Sequence, residues 1–194
     1  MCTSENDILR LVRFGIPNPY VKCPVLETKH FRLRLVKRED AADLLECYSD
    51  PVAQEFFNAD NCTSDFCYQT AAEMEACIEG WLGAYEVQAY VRYAIVDKSS
   101  EKAVGTVEMF GGIGLFQTPE GVLRLDICSG YENQECLEEL FSICATDFFL
   151  LFEAEQIITK AVPGAEQRIT VLKKLNFRPV EIPGRKYCWV LNRE

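Results

Sequence analysis

The second half of the chain places a helical segment between two strand-like segments, and this order constrains the fold more than any other feature. The first strand-like segment, VLRLDIC (122–128), alternates apolar and polar residues, and the second, QIITKAV (156–162), is mostly apolar. Between them, residues 132–152 repeat apolar side chains at helical spacing. Two strands joined by a crossover helix lie parallel in one sheet. The pattern therefore predicts a parallel strand pair with a helix packed on the sheet.

The remaining segments predict antiparallel strands and further helices. Four more segments are typical of strands: HFRLRLV (30–36), YVRYAIV (90–96) and AVGTVEMF (103–110), which form a hairpin, and YCWVL (187–191). Helical segments are predicted at residues 37–51, 52–57, 69–84 and 165–175. The glycine-rich GGIGLFQTPE is interpreted as a turn, because no helix follows it. We therefore predict an α/β fold of the α+β type, with a mixed, mostly antiparallel sheet and helices on both faces.

Composition indicates one globular domain and narrows the possible partners. The chain has 194 residues, a size that fits one domain, and a net charge of -10. That charge argues against nucleic acid and against an anionic membrane surface, which both require clustered Lys and Arg. The start MCTSENDILR does not resemble a signal peptide. We expect a cytoplasmic protein in which residues 1–26, with a short helix around residues 5–14, form an N-terminal extension.

The cysteines and the single histidine do not predict a metal site. The ten cysteines are scattered without any Cys-x-x-Cys spacing, and His30 is the only histidine. We therefore expect no bound metal, and we expect most of the thiols to be small buried side chains.

The turn between VLRLDIC and the long helix has an unusual composition. SGYENQEC (129–136) lies where many α/β proteins bind an anion at a helix N-terminus. It contains one glycine and no lysine or arginine. Its acidic residues are also compatible with a purely structural role, because carboxylates stabilise the start of a helix by about 0.3 to 1 kcal/mol each.

Three segments together resemble the GNAT superfamily of acyl-CoA-dependent N-acyltransferases. LETKHFRLRLVKREDAADLLECYSDP is similar to the family's first strand and helix, YVRYAIVDKSSEKAVGTVEMFGG to its central hairpin, and ITVLKKLNF to its last helix. The resemblance extends from about residue 26 to the C-terminus and is strongest to the branch that acetylates ribosomal-protein N-termini. It predicts one GNAT-like domain over residues 27–194.

The resemblance implies acetyl-CoA as the acyl donor and an amine, either a protein N-terminus or a small molecule, as the acceptor. In the family the two parallel strands splay apart and the pantetheine arm lies between them, with the pyrophosphate at the start of the following helix. The residues that would contact the donor here are Ile127, Cys128, Ser129, Asn133, Gln134, Glu135, Cys136 and Arg168.

The sequence also departs from the family pattern at the donor site. Tyr131, Gln134 and Cys136 stand where the family's pyrophosphate loop has Gln or Arg, Gly, and a small residue. Leu172 stands where many members carry a tyrosine that protonates the thiolate. These departures leave an alternative open, a non-catalytic GNAT-like binding module that has lost acetyl-CoA binding.

Two acidic residues on predicted strands are candidates for the catalytic base. Glu108 on AVGTVEMF and Asp126 on VLRLDIC could remove a proton from the acceptor amine. The alternative for each is that it is simply the solvent-facing member of an alternating strand. Glu108 is the first candidate for the catalytic base. The oligomeric state does not follow from the sequence.

Overall fold

The computed structural model describes residues 18–58, 62 and 64–193 of the chain. Its α-helices are α1 (Ala41–Tyr48), α2 (Pro51–Gln54), α3 (Ala71–Glu86), α4 (Gln134–Leu151) and α5 (Glu166–Lys174). Its strands are β1 (Leu26–Glu27), β2 (Phe31–Leu35), β3 (Val91–Asp97), β4 (Ala103–Gly111), β5 (Glu120–Ile127), β6 (Gln156–Lys160), β7 (Arg178–Ile182) and β8 (Arg185–Asn192). The helix predicted around residues 5–14 lies outside the described residues.

The strands form one mixed sheet in the order β1-β2-β3-β4-β5-β6-β8-β7. Helix α4 connects β5 to β6, and these two strands are parallel, as the crossover pattern predicts. Their pairing extends only from Glu120 with Gln156 to Val122 with Ile158, whereas β5 stays paired with β4 as far as Ile127. The parallel strands therefore separate beyond Val122, and the predicted mixed sheet with a splayed parallel pair is confirmed.

Helices cover the two faces of the sheet and build two separate cores. On one face, α4 and α5 pack against the sheet through residues such as Phe141 and Leu172, which belong to one buried cluster with Leu125 of β5. On the opposite face, α1 and α3 pack through Leu44 and Ile78, among other buried residues. Successive side chains of a strand point to opposite faces. The central strands therefore contribute alternate residues to each core.

The start of the long helix and the presence of strand β7 differ from the sequence prediction for identifiable reasons. The long helix begins at Gln134 instead of residue 132, because residues 129–131 form a 3-10 turn and Asn133 caps the helix. Strand β7 was not among the predicted strands. Its sequence RPVEI contains a proline, and it lies at the edge of the sheet, where a missing N–H is tolerated.

The described part of the predicted N-terminal extension packs against the domain. Tyr20 is 3% exposed, and its ring meets that of Phe152 edge-on with the centroids 5.6 Å apart. The Cys23 amide donates a hydrogen bond of 2.9 Å to the Tyr85 hydroxyl. Tyr20 is therefore part of the core, and Cys23 and Leu26 pack against it.

The cysteines of the described residues lie in varied environments. Cys47, Cys144 and Cys188 are buried, Cys67 is exposed, and the others are half-buried. No group of three or more His, Cys, Asp or Glu residues in the described ranges is arranged to hold a metal ion. Among the described helices, none has the length and apolar content needed to cross a lipid bilayer.

Candidate functional site

A row of charged side chains crosses the three central strands on the face that α1 and α3 cover. Arg92 of β3 lies opposite Glu108 of β4, which lies opposite Arg124 of β5. The Glu108 carboxylate accepts 2.5 Å from Arg92 Nη2 and 2.7 Å from Arg124 Nη1. The three residues are 1%, 1% and 9% exposed. Charges this deeply buried require partners, and the register of the strands supplies them.

Asp126 extends this row along β5 and has a different environment from Glu108. Its Oδ2 accepts hydrogen bonds from the Tyr48 hydroxyl at 3.0 Å and from Arg92 Nη1 at 3.3 Å. Its Oδ1 is buried and, within the part of the chain that the structure describes, has no hydrogen-bond partner. Burial raises the pKa of the Asp126 carboxyl above its ordinary value, and the nearby Arg92 charge opposes that shift. The structure thus brings both candidate bases into one buried cluster around Arg92.

Two cavities meet at the charged row. One has a volume of about 290 Å³ and reaches past Phe110 toward β6. The other has a volume of about 420 Å³ and lies against Trp81 of α3. Tyr90, Glu108 and Arg124 line both cavities. A small molecule or the end of a peptide bound in either cavity would lie beside the Glu108 carboxylate.

The predicted donor residues at the end of β5 are held by hydrogen bonds within the protein. Ile127 is buried and pairs with β4, and the Cys128 amide donates 2.9 Å to the Val104 carbonyl. The Ser129 amide donates 3.1 Å to Oδ2 of Asp50, whose other oxygen caps α2. Burial would raise the pKa of Asp50, but its hydrogen bonds with Ser129 and the α2 amides lower it overall. An ionised carboxylate of the protein therefore already binds the first amide of this loop.

The start of α4 retains part of its capacity to bind an anion. The Asn133 side chain accepts 3.1 Å from the Cys136 amide. The Asn133 carbonyl accepts 3.0 Å from the next amide, that of Leu137. In the described residues, this leaves the amides of Gln134 and Glu135 without a protein partner. Both side chains are exposed.

Arg168, the predicted donor contact on α5, is buried and bonded within the protein. Its Nε and Nη2 donate to the two oxygens of Glu132 at 2.8 and 2.7 Å. Its Nη1 donates 2.9 Å to the Leu125 carbonyl of β5 and 3.3 Å to the Phe56 carbonyl. Arg168 is 2% exposed. The side chain predicted to face a ligand is thus enclosed by protein groups.

The Leu125 carbonyl lies at the open edge of β5. Successive carbonyls of a strand point to opposite edges, and the Asp126 carbonyl faces β4, where it lies against Gly105. The Leu125 carbonyl therefore points away from β4, into the gap between β5 and β6. The Arg168 guanidinium that binds it accordingly lies in that gap.

Several residues that define this site were not predicted from the sequence. Arg92, Arg124, Tyr48 and Glu132 were not among the predicted site residues. The available signal was an arginine inside each of two apolar strands, in YVRYAIV and VLRLDIC. A charged residue flanked by buried strand positions on both sides indicates a buried ion pair when the neighbouring strand carries an opposite charge.

Comparisons with known proteins agree with this architecture. Residues 30–178 match the family model described as an acetyltransferase (GNAT) domain. The structure of ribosomal-protein-S5-alanine acetyltransferase from Vibrio fischeri is similar with a TM-score of 0.64 at 18% identity, covering 87% of this chain and 94% of that chain. RimJ from Mycobacterium smegmatis, in complex with CoA-disulfide, is similar with a TM-score of 0.69 at 12% identity, covering 87% and 86%.

Further comparisons support the fold without adding a close relative. A GNAT-family acetyltransferase from Bacillus anthracis gives a TM-score of 0.65 at 13% identity, covering 87% of this chain and 98% of that chain. No match to the chain was found among curated protein sequences. At these identities the structural likeness shows the fold, and the family model spans most of the chain. The protein belongs to the GNAT acetyltransferase family.

Proposed function

We propose that the protein is an acetyl-CoA-dependent N-acetyltransferase that acts on an amine, either a protein N-terminus or a small molecule. The splayed strand pair carries this proposal, because the edge of β5 beyond Val122 is not paired with β6. Main-chain groups at such an edge need partners, and an extended arm lying between the strands would supply them. The structurally similar RimJ from Mycobacterium smegmatis was solved with CoA-disulfide, which supports a coenzyme A ligand. The cytoplasmic location stays a prediction.

The residues present fit the two ends of an acetyl-CoA molecule unequally. The unpaired edge of β5 fits the pantetheine arm, and the amides of Gln134 and Glu135 are available to the pyrophosphate. The carboxylates of Glu132 and Glu135 and the absence of glycine from residues 131–136 oppose the phosphates. When bound, acetyl-CoA supplies an activated acetyl group. We propose that Ile127, Cys128 and Ser129 contact the arm, and that Asn133 and Cys136 shape the phosphate end.

Glu108 is our candidate for the residue that accepts the proton of the acceptor amine. It lines both cavities beside the sheet, and a general base must lie within hydrogen-bond reach of the proton it removes. Each of its oxygens holds one guanidinium bond, so further lone pairs are available to a substrate. Asp126 lines neither cavity, and we assign it a positioning role, since it balances the charge of Arg92 from the other side.

A non-catalytic GNAT-like binding module is the second candidate. The observation that favours it is the Ser129 amide, which is bonded to Asp50 where a pyrophosphate loop would present its amides to the donor. Glu132 places a second carboxylate in the same loop. In this candidate the splayed cleft and its cavities bind a partner or ligand other than acetyl-CoA.

Two measurements on the wild-type protein separate these candidates. A ligand at 100 times its dissociation constant stabilises a protein by about 2.7 kcal/mol, so acetyl-CoA binding is detectable as a rise in melting temperature. Release of the coenzyme A thiol, followed with a panel of peptides and small amines, then reports transfer. Thiol release that requires both acetyl-CoA and an amine supports the acetyltransferase. Stabilisation without release at any amine, or no stabilisation at millimolar acetyl-CoA, contradicts it.

A further inference from the structure

We infer that Arg168 and Glu132 form an internal ion pair that closes the acetyl-CoA cleft and sets the affinity for the donor. The inference rests on the proposed function, because it concerns the same cleft. It assigns a role to two residues that the proposed chemistry does not use directly. It also replaces the sequence expectation that Arg168 binds the donor.

The pair is built as a fixed internal contact. Two parallel hydrogen bonds of 2.8 and 2.7 Å join the guanidinium to both oxygens of Glu132. The two side chains are 3% and 7% exposed. Bidentate pairs of arginine and carboxylate are among the strongest polar contacts in proteins, and this one is shielded from solvent. The free protein therefore holds Arg168 in one position.

That position coincides with the path of an arm between the strands. Arg168 belongs to α5. This helix packs on one face of the sheet, where its buried apolar residues lie in the same cluster as Leu125. Nη1 of Arg168 also bonds the Phe56 carbonyl, and Phe57, the next residue, belongs to the cluster on the opposite face. The guanidinium thus lies in the gap between β5 and β6, bonded to the main chain of β5 and to the main chain of the segment that leads into the opposite cluster. Arg168 donates a hydrogen bond to the Leu125 carbonyl, which is an acceptor that an extended ligand at this edge would use.

The charges of the pair also oppose donor binding. If Glu132 stays in place, moving Arg168 out of the gap separates the pair and leaves a carboxylate that is 7% exposed without its partner. Separating a buried pair is costly, because the remaining charge has lost both water and its counter-ion. The carboxylate would also lie next to the incoming pyrophosphate. The free energy needed to open the pair and the repulsion between the Glu132 carboxylate and the pyrophosphate both lower the affinity for acetyl-CoA.

The test measures acetyl-CoA affinity by isothermal titration calorimetry in matched pairs of substitutions. The double variant Glu132→Gln with Arg168→Ser removes both charges and leaves the gap open. We expect it to bind acetyl-CoA at least about tenfold more tightly than the wild type. The control combines Glu138→Gln with Lys174→Ser, which removes an exposed ion pair between α4 and α5. The control is expected to bind like the wild type.

A single substitution keeps the test valid if the double variant does not fold. Arg168→Lys retains the positive charge but loses the planar fork that bonds both oxygens of Glu132. It should tighten acetyl-CoA binding by a smaller factor. Circular dichroism of each variant establishes that the fold is intact.

The outcomes distinguish this inference from the proposed function. If the wild type and the variants bind acetyl-CoA equally and transfer acetyl groups, the ion pair does not control the cleft and the function stands. Weaker binding by the Arg168 variants would show that the arginine contacts the donor, which also overturns the inference. If no variant binds acetyl-CoA, both the inference and the proposed function are wrong.

Discussion

Arg92 donates a 2.5 Å hydrogen bond to Glu108, and both side chains are 1% exposed. Glu108 also accepts a hydrogen bond from Arg124, so one carboxylate bonds two buried guanidinium groups, with Asp126 as a second partner of Arg92. Replacing it by Gln keeps the shape of the side chain but removes the charge. We expect Glu108→Gln to lower the free energy of unfolding by about 3 to 5 kcal/mol, the usual cost of breaking a buried ion pair. Urea unfolding followed by circular dichroism measures this loss.

Glu138→Gln is the control for that substitution. Glu138 pairs with Lys174 on the surface, where the two side chains are 37% and 62% exposed. Exposed pairs contribute about 0 to 1 kcal/mol, so this variant should unfold almost like the wild type. Equal losses in the two variants would mean that burial does not determine the importance of Glu108.

Asp126 should give the stability a pH dependence of unusual sign. Burial raises the pKa of its carboxyl above the ordinary value of 3.8. Between the two values the folded state binds more protons than the unfolded state, so this group's contribution to stability falls as the pH rises through that window. The free energy of unfolding of the wild type minus that of Asp126→Asn should therefore increase as the pH is lowered from 7 toward 4. A difference that stays constant or decreases on acidification would contradict the raised pKa.

Asp50 should contribute to stability through its two sets of amide hydrogen bonds. One oxygen caps α2 and the other accepts from the Ser129 amide. Asp50→Ala removes both contacts and is expected to cost about 1 to 2 kcal/mol, the upper part of the range for a lost helix cap. Asp50→Asn retains an oxygen that can cap the helix and should lose less. Thermal unfolding of both variants checks the order, and equal losses would show that the cap contributes nothing beyond the charge.

Glu108→Asp tests the catalytic role with less disturbance of the buried charges. The shorter side chain keeps the negative charge between the arginines but withdraws the carboxylate by about 1 Å. A displacement of that size can cost about a hundredfold in rate. We expect kcat/KM for the amine to fall by about 10- to 100-fold while the affinity for acetyl-CoA is unchanged. An unchanged kcat/KM in a folded variant would exclude Glu108 as the base.

The sequence predicts the architecture better than the site because the two depend on different distances along the chain. The β5–α4–β6 crossover follows from periodicity within about 40 residues. The role of Glu108 depends on strand register, which places it between Arg92 and Arg124 and which no local pattern specifies. In the same way, Glu132 and Arg168 are 36 residues apart and meet only through tertiary packing.

The composition of the turn between β5 and α4 predicts only part of what its acidic residues do. The acidic residues of SGYENQEC predict poor binding of an anion, but they do not indicate which protein groups they contact. In the structure Glu132 turns away from the helix start to bind Arg168, whereas Glu135 stays exposed. The composition of this turn therefore does not indicate which glutamate pairs within the protein and which remains exposed.

Hydrogen–deuterium exchange with and without millimolar acetyl-CoA tests the central claim most directly, because it reports where the donor binds. If the donor lies in the splayed cleft, the amides of residues 123–127 at the open edge of β5 should exchange more slowly in its presence. Strand β7 (Arg178–Ile182) lies at the far edge of the sheet and should exchange at the same rate in both conditions. Unchanged exchange over residues 123–127, or protection confined to other segments, would contradict the assignment of this cleft to acetyl-CoA.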